Sequence, residues 1–361
     1  MAKEQPRKNK TEKSLFCCPL CGGALAPNAQ RTALCCIKKH SFDLAREGYV
    51  HLLPASRMHA KMPGDSREMV AARSRFLQAG FYAPFSDALN EIVRAELCPA
   101  ANAKQKAPLC SDQQNVQPLS AALKTEREQR LAGHTVAPVR PADAPLIVDA
   151  GCGEGYYTNR LAASLGAGNA RIAAFDISKF AVKAAAKQAA AQAPAGQIVA
   201  PAGQVAAPAG QIAAPAGQVA APAAVEYAVA GSFGIPLPCA CAQIIVNVFS
   251  PMAREEFLRV LKPGGLLIFA VPGPRHLYGL KQILYDTPYD NAVQDVAYAG
   301  FVCERRCPVR ASIRVPAKAV QDLFAMTPYY WKTPKEGAQR LAACAELTSE
   351  IEFDFVCYRK Q

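Results

Sequence analysis

Apolar residues along this chain recur with two periods. Short apolar-rich runs at Leu146–Val148, Ile172–Phe175, Val225–Ala230, Ile244–Phe249 and Leu266–Val271 predict strands buried on both faces, since a strand covered on each side has no solvent face to keep polar. Between them, apolar positions three and four apart predict helices over Tyr156–Ser164, from an N-cap at Ser178 through Ala186, and over Arg254–Leu261. Upstream, Ser66 reads as the N-cap of a helix with Met69, Val70, Arg73 and Phe76-Leu77 at helical spacing, and a second helix runs from Pro84 to about Leu97. A helix near Pro316–Phe324, an aromatic stretch Thr327-Pro-Tyr-Tyr-Trp331 and a final strand Ile351–Tyr358 complete the pattern. Strands alternating with helices predict an α/β fold around a mostly parallel sheet.

The first of these strands runs into Asp149-Ala-Gly-Cys-Gly-Glu-Gly155 and then into a helix, so Gly151, Gly153, Glu154 and Gly155 lie on a strand-to-helix turn. Glycines there let a ligand lie against bare backbone at a positive helix N-terminus. Asp176 closes the second strand, where a carboxylate takes the hydroxyls of a ribose lying across the first two strand ends. A dinucleotide fingerprint needs a glycine where Tyr156 stands, so that ligand is disfavoured. Asp-x-Gly-x-Gly-x-Gly instead resembles motif I of class I S-adenosylmethionine-dependent methyltransferases. That resemblance implies a Rossmann-like methyltransferase sheet, mostly parallel with an antiparallel last strand, with Asp149, Gly151, Gly153, Glu154, Gly155 and Asp176 around the methyl donor.

Two stretches break the pattern. Residues 98–144 are rich in Ala, Pro, Gln and Lys without clear periodicity and read as a surface insertion. Over 189–224, prolines 194, 201, 208, 215 and 222 recur every seven residues; a proline in each heptad costs a helix about 3 kcal/mol, so a coiled coil is excluded and an extended or disordered loop expected. Residues 1–13 are polar and read as a disordered tail.

Charge and cysteine content sharpen the N-terminal part. Residues 1–62 carry 11 Lys/Arg against 4 Asp/Glu, more than half of the +12 net charge, which favours a polyanionic partner met by this region. The absence of an 18-residue apolar run and of a signal core predicts a cytoplasmic chain that no membrane holds. Fourteen cysteines in that compartment read as thiols or metal ligands. Cys18 and Cys21 form a CxxC and Cys36 and His40 a CxxxH, together four ligands for tetrahedral Zn²⁺. Cys17 and Cys35 each precede a ligand by one residue, but the CPxC spacing and the Cys36–His40 interval favour the former set.

Phe16-x-Cys-Pro-Leu-Cys21, then Cys36-x-x-x-His-x-Phe-Asp-x-Ala-x-Glu-Gly-Tyr-Val-x-Leu-Leu-Pro54, then Pro63-Gly-Asp-Ser-x-Glu-Met-x-x-Ala-Arg-x-x-Phe-Leu-x-x-Gly-x-Tyr82, then the glycine turn, then Pro272-Gly-Pro-Arg-His-Leu277 resembles the RlmA family of zinc-containing 23S rRNA (guanine-N1)-methyltransferases. The resemblance implies S-adenosylmethionine and Zn²⁺ as cofactors and 23S rRNA as partner. It carries Tyr82 and His276 over as contacts of the methyl donor. Ser232, at the end of the third strand, is expected near the adenine. The expected organisation is a zinc-binding RNA-recognition domain (14–62), a helical connector (63–97), the first insertion (98–144) and a methyltransferase domain (145–361). The number of subunits stays open, a homodimer being the association considered.

Lys38, Lys39 and Arg46 on the zinc segment are candidates for RNA phosphates, and Phe249 for stacking on an extruded guanine. Asn247–Pro251 lacks the Asn-Pro-Pro-Tyr of enzymes that methylate exocyclic amines. No residue stands out as the acceptor of the guanine N1 proton. Two other readings remain at this point: a small-molecule methyltransferase of the quinone or sterol type, and a non-catalytic RNA-binding protein on the same fold. If the zinc segment only recruits RNA, removing residues 1–53 is expected to leave binding of the methyl donor intact.

Overall fold

The computed structural model describes residues 13–58, 63–98, 144–192, 221–292 and 297–361. The cysteine-rich segment folds into the short strands β1 (Ala26–Pro27), β2 (Ala33–Cys35), β3 (Ser41–Asp43) and β4 (Val50–His51). Helices α1 (Arg67–Gln78) and α2 (Ala83–Leu97) follow, and the hydroxyl of Ser66 accepts from Met69 N at the start of α1, as an N-cap should. The α/β part then runs β5 (Leu146–Ala150), α3 (Tyr156–Leu165), β6 (Arg171–Asp176), α4 (Lys179–Gln192), β7 (Ala224–Val229), β8 (Ala242–Val248), α5 (Arg254–Val260) and β9 (Leu261–Pro272). It ends with α6 (Tyr278–Leu284), β10 (Phe301–Pro316), α7 (Ala317–Ala325), α8 (Lys335–Ala342) and β11 (Glu346–Lys360).

One eight-stranded sheet has the order β10-β11-β9-β8-β5-β6-β7-β4. Neighbours from β4 to β9 are parallel, whereas β11 runs antiparallel to both β9 and β10. The alternation of side chains along each strand divides the apolar residues into two cores. Ile147, Ile172 and Ile268 face α1 to α4, α6 and α7, while Val148, Phe175 and Leu267 face α5 and the N-terminal segment. Burial of whole strands on both faces follows, and the five residues of β5 are all buried.

Three features depart from the sequence reading. β10 was not expected: its exposed face carries Arg306, Pro308, Arg310 and Arg314, so the apolar signal of a buried strand is missing. Pro308 is tolerated there because an edge strand has an outward side that needs no N–H donor. Second, α4 continues to Gln192, beyond the position where the repeat insertion was expected to begin.

Third, the N-terminal segment is not an appendage. Val50 and His51 pair in parallel with Ala228 and Val229, Leu52 N donates to Val229 O, and Phe16, Leu25, Leu34 and Leu52 join the core on the α5 face. Ser14 Oγ and Leu15 N also donate to the Glu226 carboxylate on β7. The expectation that binding of the methyl donor survives removal of residues 1–53 is therefore revised, because their loss uncovers a sheet edge and part of the core on the α5 face. Most of the two insertions, residues 99–143 and 193–220, and the tail 1–12 lie outside the described residues. Among the described residues no helix is long and apolar enough to cross a membrane.

Candidate functional site

The glycine turn folds as it does because three positions need left-handed backbone: Gly151, Gly153 and Gly155 have φ of +88°, +55° and +84°. Space forbids side chains too. A Cβ on Gly151 would meet Ser250 at 2.4 Å, and one on Gly155 would meet Ala185 of α4 at 2.7 Å. Asp149 lies beneath the turn, accepting from Thr158 Oγ1 at 2.6 Å, and burial pushes its carboxyl up to about 7. It braces the turn to the first turn of α3.

Asp176, at the carboxyl end of β6, accepts from Gly153 N at 3.1 Å and from Ser178 N at 2.7 Å. Strand ends β5 and β6 are thus joined through one carboxylate, which burial shifts above the usual range. Glu154 is also buried, and its carboxyl is pushed up to about 7 by that burial, with the Arg73 guanidinium opposing. Ser232 opens the 3-10 turn that follows β7.

Arg73, a position of the family motif, has a role that its place in the sequence did not disclose. It was read as one member of an amphipathic stripe, yet it reaches from α1 over the turn. It pairs with Asp65, and its Nη1 lies 3.9 Å from where a Cβ on Gly153 would sit. Asp65, Glu154 and Asp176 all act electrostatically on this one guanidinium. A cation above the glycine turn is suited to the carboxylate of an amino-acid ligand. The sequence signals of Arg73 were its place on a stripe otherwise apolar and in the motif that runs from Pro63 to Tyr82.

Across the sheet edge, Tyr82 and His276 come together. Their rings are 6.3 Å apart, and both pack on Phe353 of β11, at 5.3 Å and 4.1 Å. His276 Nδ1 accepts from Glu352 N at 3.3 Å. A backbone N–H can only donate, so the neutral ring carries its proton on Nε2. Burial, aided by the Lys281 ammonium, pushes the histidine down to about 3, which keeps it neutral. Glu352 shapes the loop before it, its Oε2 accepting from Arg275 N at 2.7 Å and its Oε1 from Arg310 Nε at 2.7 Å.

Phe249 closes this wall. It is half exposed, has φ of +59°, unusual for a phenylalanine, and stacks on Phe85 at 5.7 Å with 15° between planes. Asn247 fixes the turn, accepting from Ser250 N and donating to Pro251 O. Phe85 and Phe353, both buried and neither singled out in the sequence, are what holds Phe249 out into the open.

At the opposite core, Cys18, Cys21, Cys36 and His40 converge, with their ligand atoms all within 4.8 Å of one another. Cys21 Sγ and Cys36 Sγ are 3.6 Å apart, and His40 Nδ1 is 3.3 Å from Cys18 Sγ and 3.5 Å from Cys36 Sγ. Zn–S bonds of about 2.3 Å and Zn–N bonds of about 2.0–2.1 Å in tetrahedral geometry separate ligand atoms by about 3.5–3.8 Å, so the set fits zinc. Cys35 instead faces Ser41, and Cys17 enters a backbone bridge with Ala24, so neither belongs to this cluster. Lys38 and Lys39 stand exposed on the turn between Cys36 and His40, and Arg46 is exposed on the turn before β4.

Comparison with known proteins agrees with this geometry. A family described as "RlmA, N-terminal" matches residues 16–61, and a family described as "Methyltransferase domain" matches residues 144–311. A Micromonospora griseorubida protein assigned as a 23S rRNA (guanine-N(1)-)-methyltransferase is 32% identical, covering 91% of this chain and 91% of its own length. A 23S rRNA (guanine(748)-N(1))-methyltransferase of Streptomyces fradiae is 28% identical over 93% of this chain and 94% of its own. A Bacillus subtilis relative, YxjB, is 26% identical over 96% of this chain and 98% of its own. With the glycine turn, the four-ligand knuckle and the sheet that unites them in place, this chain belongs to the RlmA family of zinc-containing, S-adenosylmethionine-dependent 23S rRNA (guanine-N1)-methyltransferases.

Proposed function

We propose that this protein transfers a methyl group from S-adenosylmethionine to N1 of a guanine in a hairpin of 23S rRNA. The observation that carries this reading is similarity along nearly the whole length, zinc knuckle and methyltransferase sheet together, to relatives named for that reaction. A small-molecule methyltransferase has no use for a basic metal knuckle built into its core.

The bound donor supplies an electrophilic methyl on a sulfonium. Asp176 takes the ribose hydroxyls, Ser232 lies beside the adenine, and the bare backbone at 151–155 takes the rest of the molecule, with Arg73 on its carboxylate. Tyr82 and His276 form the wall on the other side. His276 presents an N–H and has Nδ1 engaged, so it orients a neighbour and does not take up the guanine N1 proton. Phe249 stacks on the extruded base, holding N1 in line with the methyl; such positioning supplies most of the rate in a displacement of this kind. The zinc held by Cys18, Cys21, Cys36 and His40 has a structural role, since all four ligands come from the chain. Lys38, Lys39 and Arg46 hold RNA phosphates.

The test is incubation of the metal-loaded protein with labelled S-adenosylmethionine and unmodified 23S rRNA, followed by mapping of reverse-transcription stops, because a methyl on N1 blocks base pairing. A single new stop at a guanine in a hairpin loop is expected. Label appearing only in a lipid extract would overturn the reading.

A further inference from the structure

We propose that Tyr330 and Trp331, with Lys332 beside them, form a platform on which unpaired nucleotides of the RNA stack, outside the pocket that takes the target guanine. The inference rests on the RNA reading above and adds a second contact surface, far along the chain from the zinc knuckle.

The segment Thr327–Trp331 is rigid and yet turned outward. Pro328–Trp331 form a 3-10 turn, Thr327 Oγ1 donates to Phe324 O at 2.9 Å, and Thr333 Oγ1 donates to Tyr329 O at 2.8 Å. On this frame Trp331 is 72% exposed and Tyr330 47%, their rings edge to face at 5.0 Å. Leaving the largest apolar side chain in water is unfavourable unless something covers it. Because the turn is held at both ends, little freedom remains to be lost when a base lands on it.

Charge identifies the occupant. Lys332 and Lys335 are exposed next to the rings, Glu336 is the one acid between residues 323 and 345, and Arg340 pairs with Asp286. A planar aromatic surface among cations suits a base with its phosphate, in the way single-stranded nucleic acid is bound elsewhere. The platform is also continuous with the methyl-donor wall. Tyr329, next in sequence, lies with its ring 6.3 Å from Tyr285, whose ring is 5.7 Å from the half-exposed Tyr289. Lys281 Nζ sits 4.2 Å from the Tyr289 ring and 5.9 Å from that of Tyr329, and Lys281 is on the helix that follows His276.

Trp331 is the chain's single tryptophan, so its emission reports on this surface alone. The full-length, zinc-loaded protein is titrated with a hairpin RNA and with an abasic strand of equal charge. Quenching by the hairpin and none by the abasic strand is expected. Trp331→Ala is expected to raise KM for RNA roughly tenfold with kcat and donor affinity unchanged, as loss of one stacked base predicts. Emission that stays constant while the same RNA is methylated overturns the platform. So does emission that changes on dilution of the protein without RNA, which marks a contact between two copies. Quenching by RNA that receives no methyl group supports the platform and removes the methylation reading instead.

Discussion

Gly155 defines how little room the turn allows. With φ of +84° and Ala185 in the way, Gly155→Ala combines backbone strain with a clash, and about 1–3 kcal/mol of stability is expected to go, read as a lower urea midpoint. Asp176 lies between two strand ends, and replacing it with Ala removes a charged acceptor of hydrogen bonds. Its loss is expected to weaken S-adenosylmethionine binding by at least about tenfold in calorimetry, each such bond being worth about 1.5–3 kcal/mol. Glu154 gives a pH signature. Its carboxyl, held near 7 in the fold, ionises nearer its ordinary value once unfolded, so the folded form binds more protons between those two points. Stability it contributes below that window is lost as pH rises toward 7. Glu154→Gln should accordingly lose less in melting temperature between pH 5 and pH 8 than the unaltered protein; equal losses would show that the group is not protonated in the fold.

Strand β4 ties metal to catalysis at the level of the element. Its ladder to β7 ends beside Gly231, whose neighbours include Leu53, close to where adenine is expected. Chelation of zinc is therefore expected to lower the melting temperature of the whole molecule and to weaken donor binding, as measured by calorimetry on metal-stripped and reloaded protein. Full donor affinity without metal would show that the two regions are independent. None of this was visible beforehand, because a two-residue strand has no period and its partner is more than 170 residues away. What could be read was local. The ligand spacing, the glycine turn and the buried strands are each set by neighbours in sequence. The roles of Arg73 and Phe353 were hidden for the reverse reason, since only the packing of α1 and β11 over the sheet edge brings them to the site.

For the molecule as a whole, the +12 charge is concentrated where phosphates are expected to lie. Lys38→Gln together with Lys39→Gln should weaken RNA binding and reduce the slope of log affinity against log salt by about 0.7–0.9 per lysine, with calorimetry on the methyl donor unchanged. An unaltered slope would place the RNA elsewhere. The sheet itself has one more consequence, in the order of assembly. β10 meets the sheet only through β11, a strand made later that slides in beside β9. During synthesis sixteen residues of edge, several of them arginines, stay without a ladder until that insertion occurs. The acidic side chains of β11 that receive Arg306, Arg310 and Arg314 arrive on or next to the same strand that closes the gap, so neutralising them should leave a nascent chain with an open, sticky margin and a marked tendency to aggregate before it ever binds RNA.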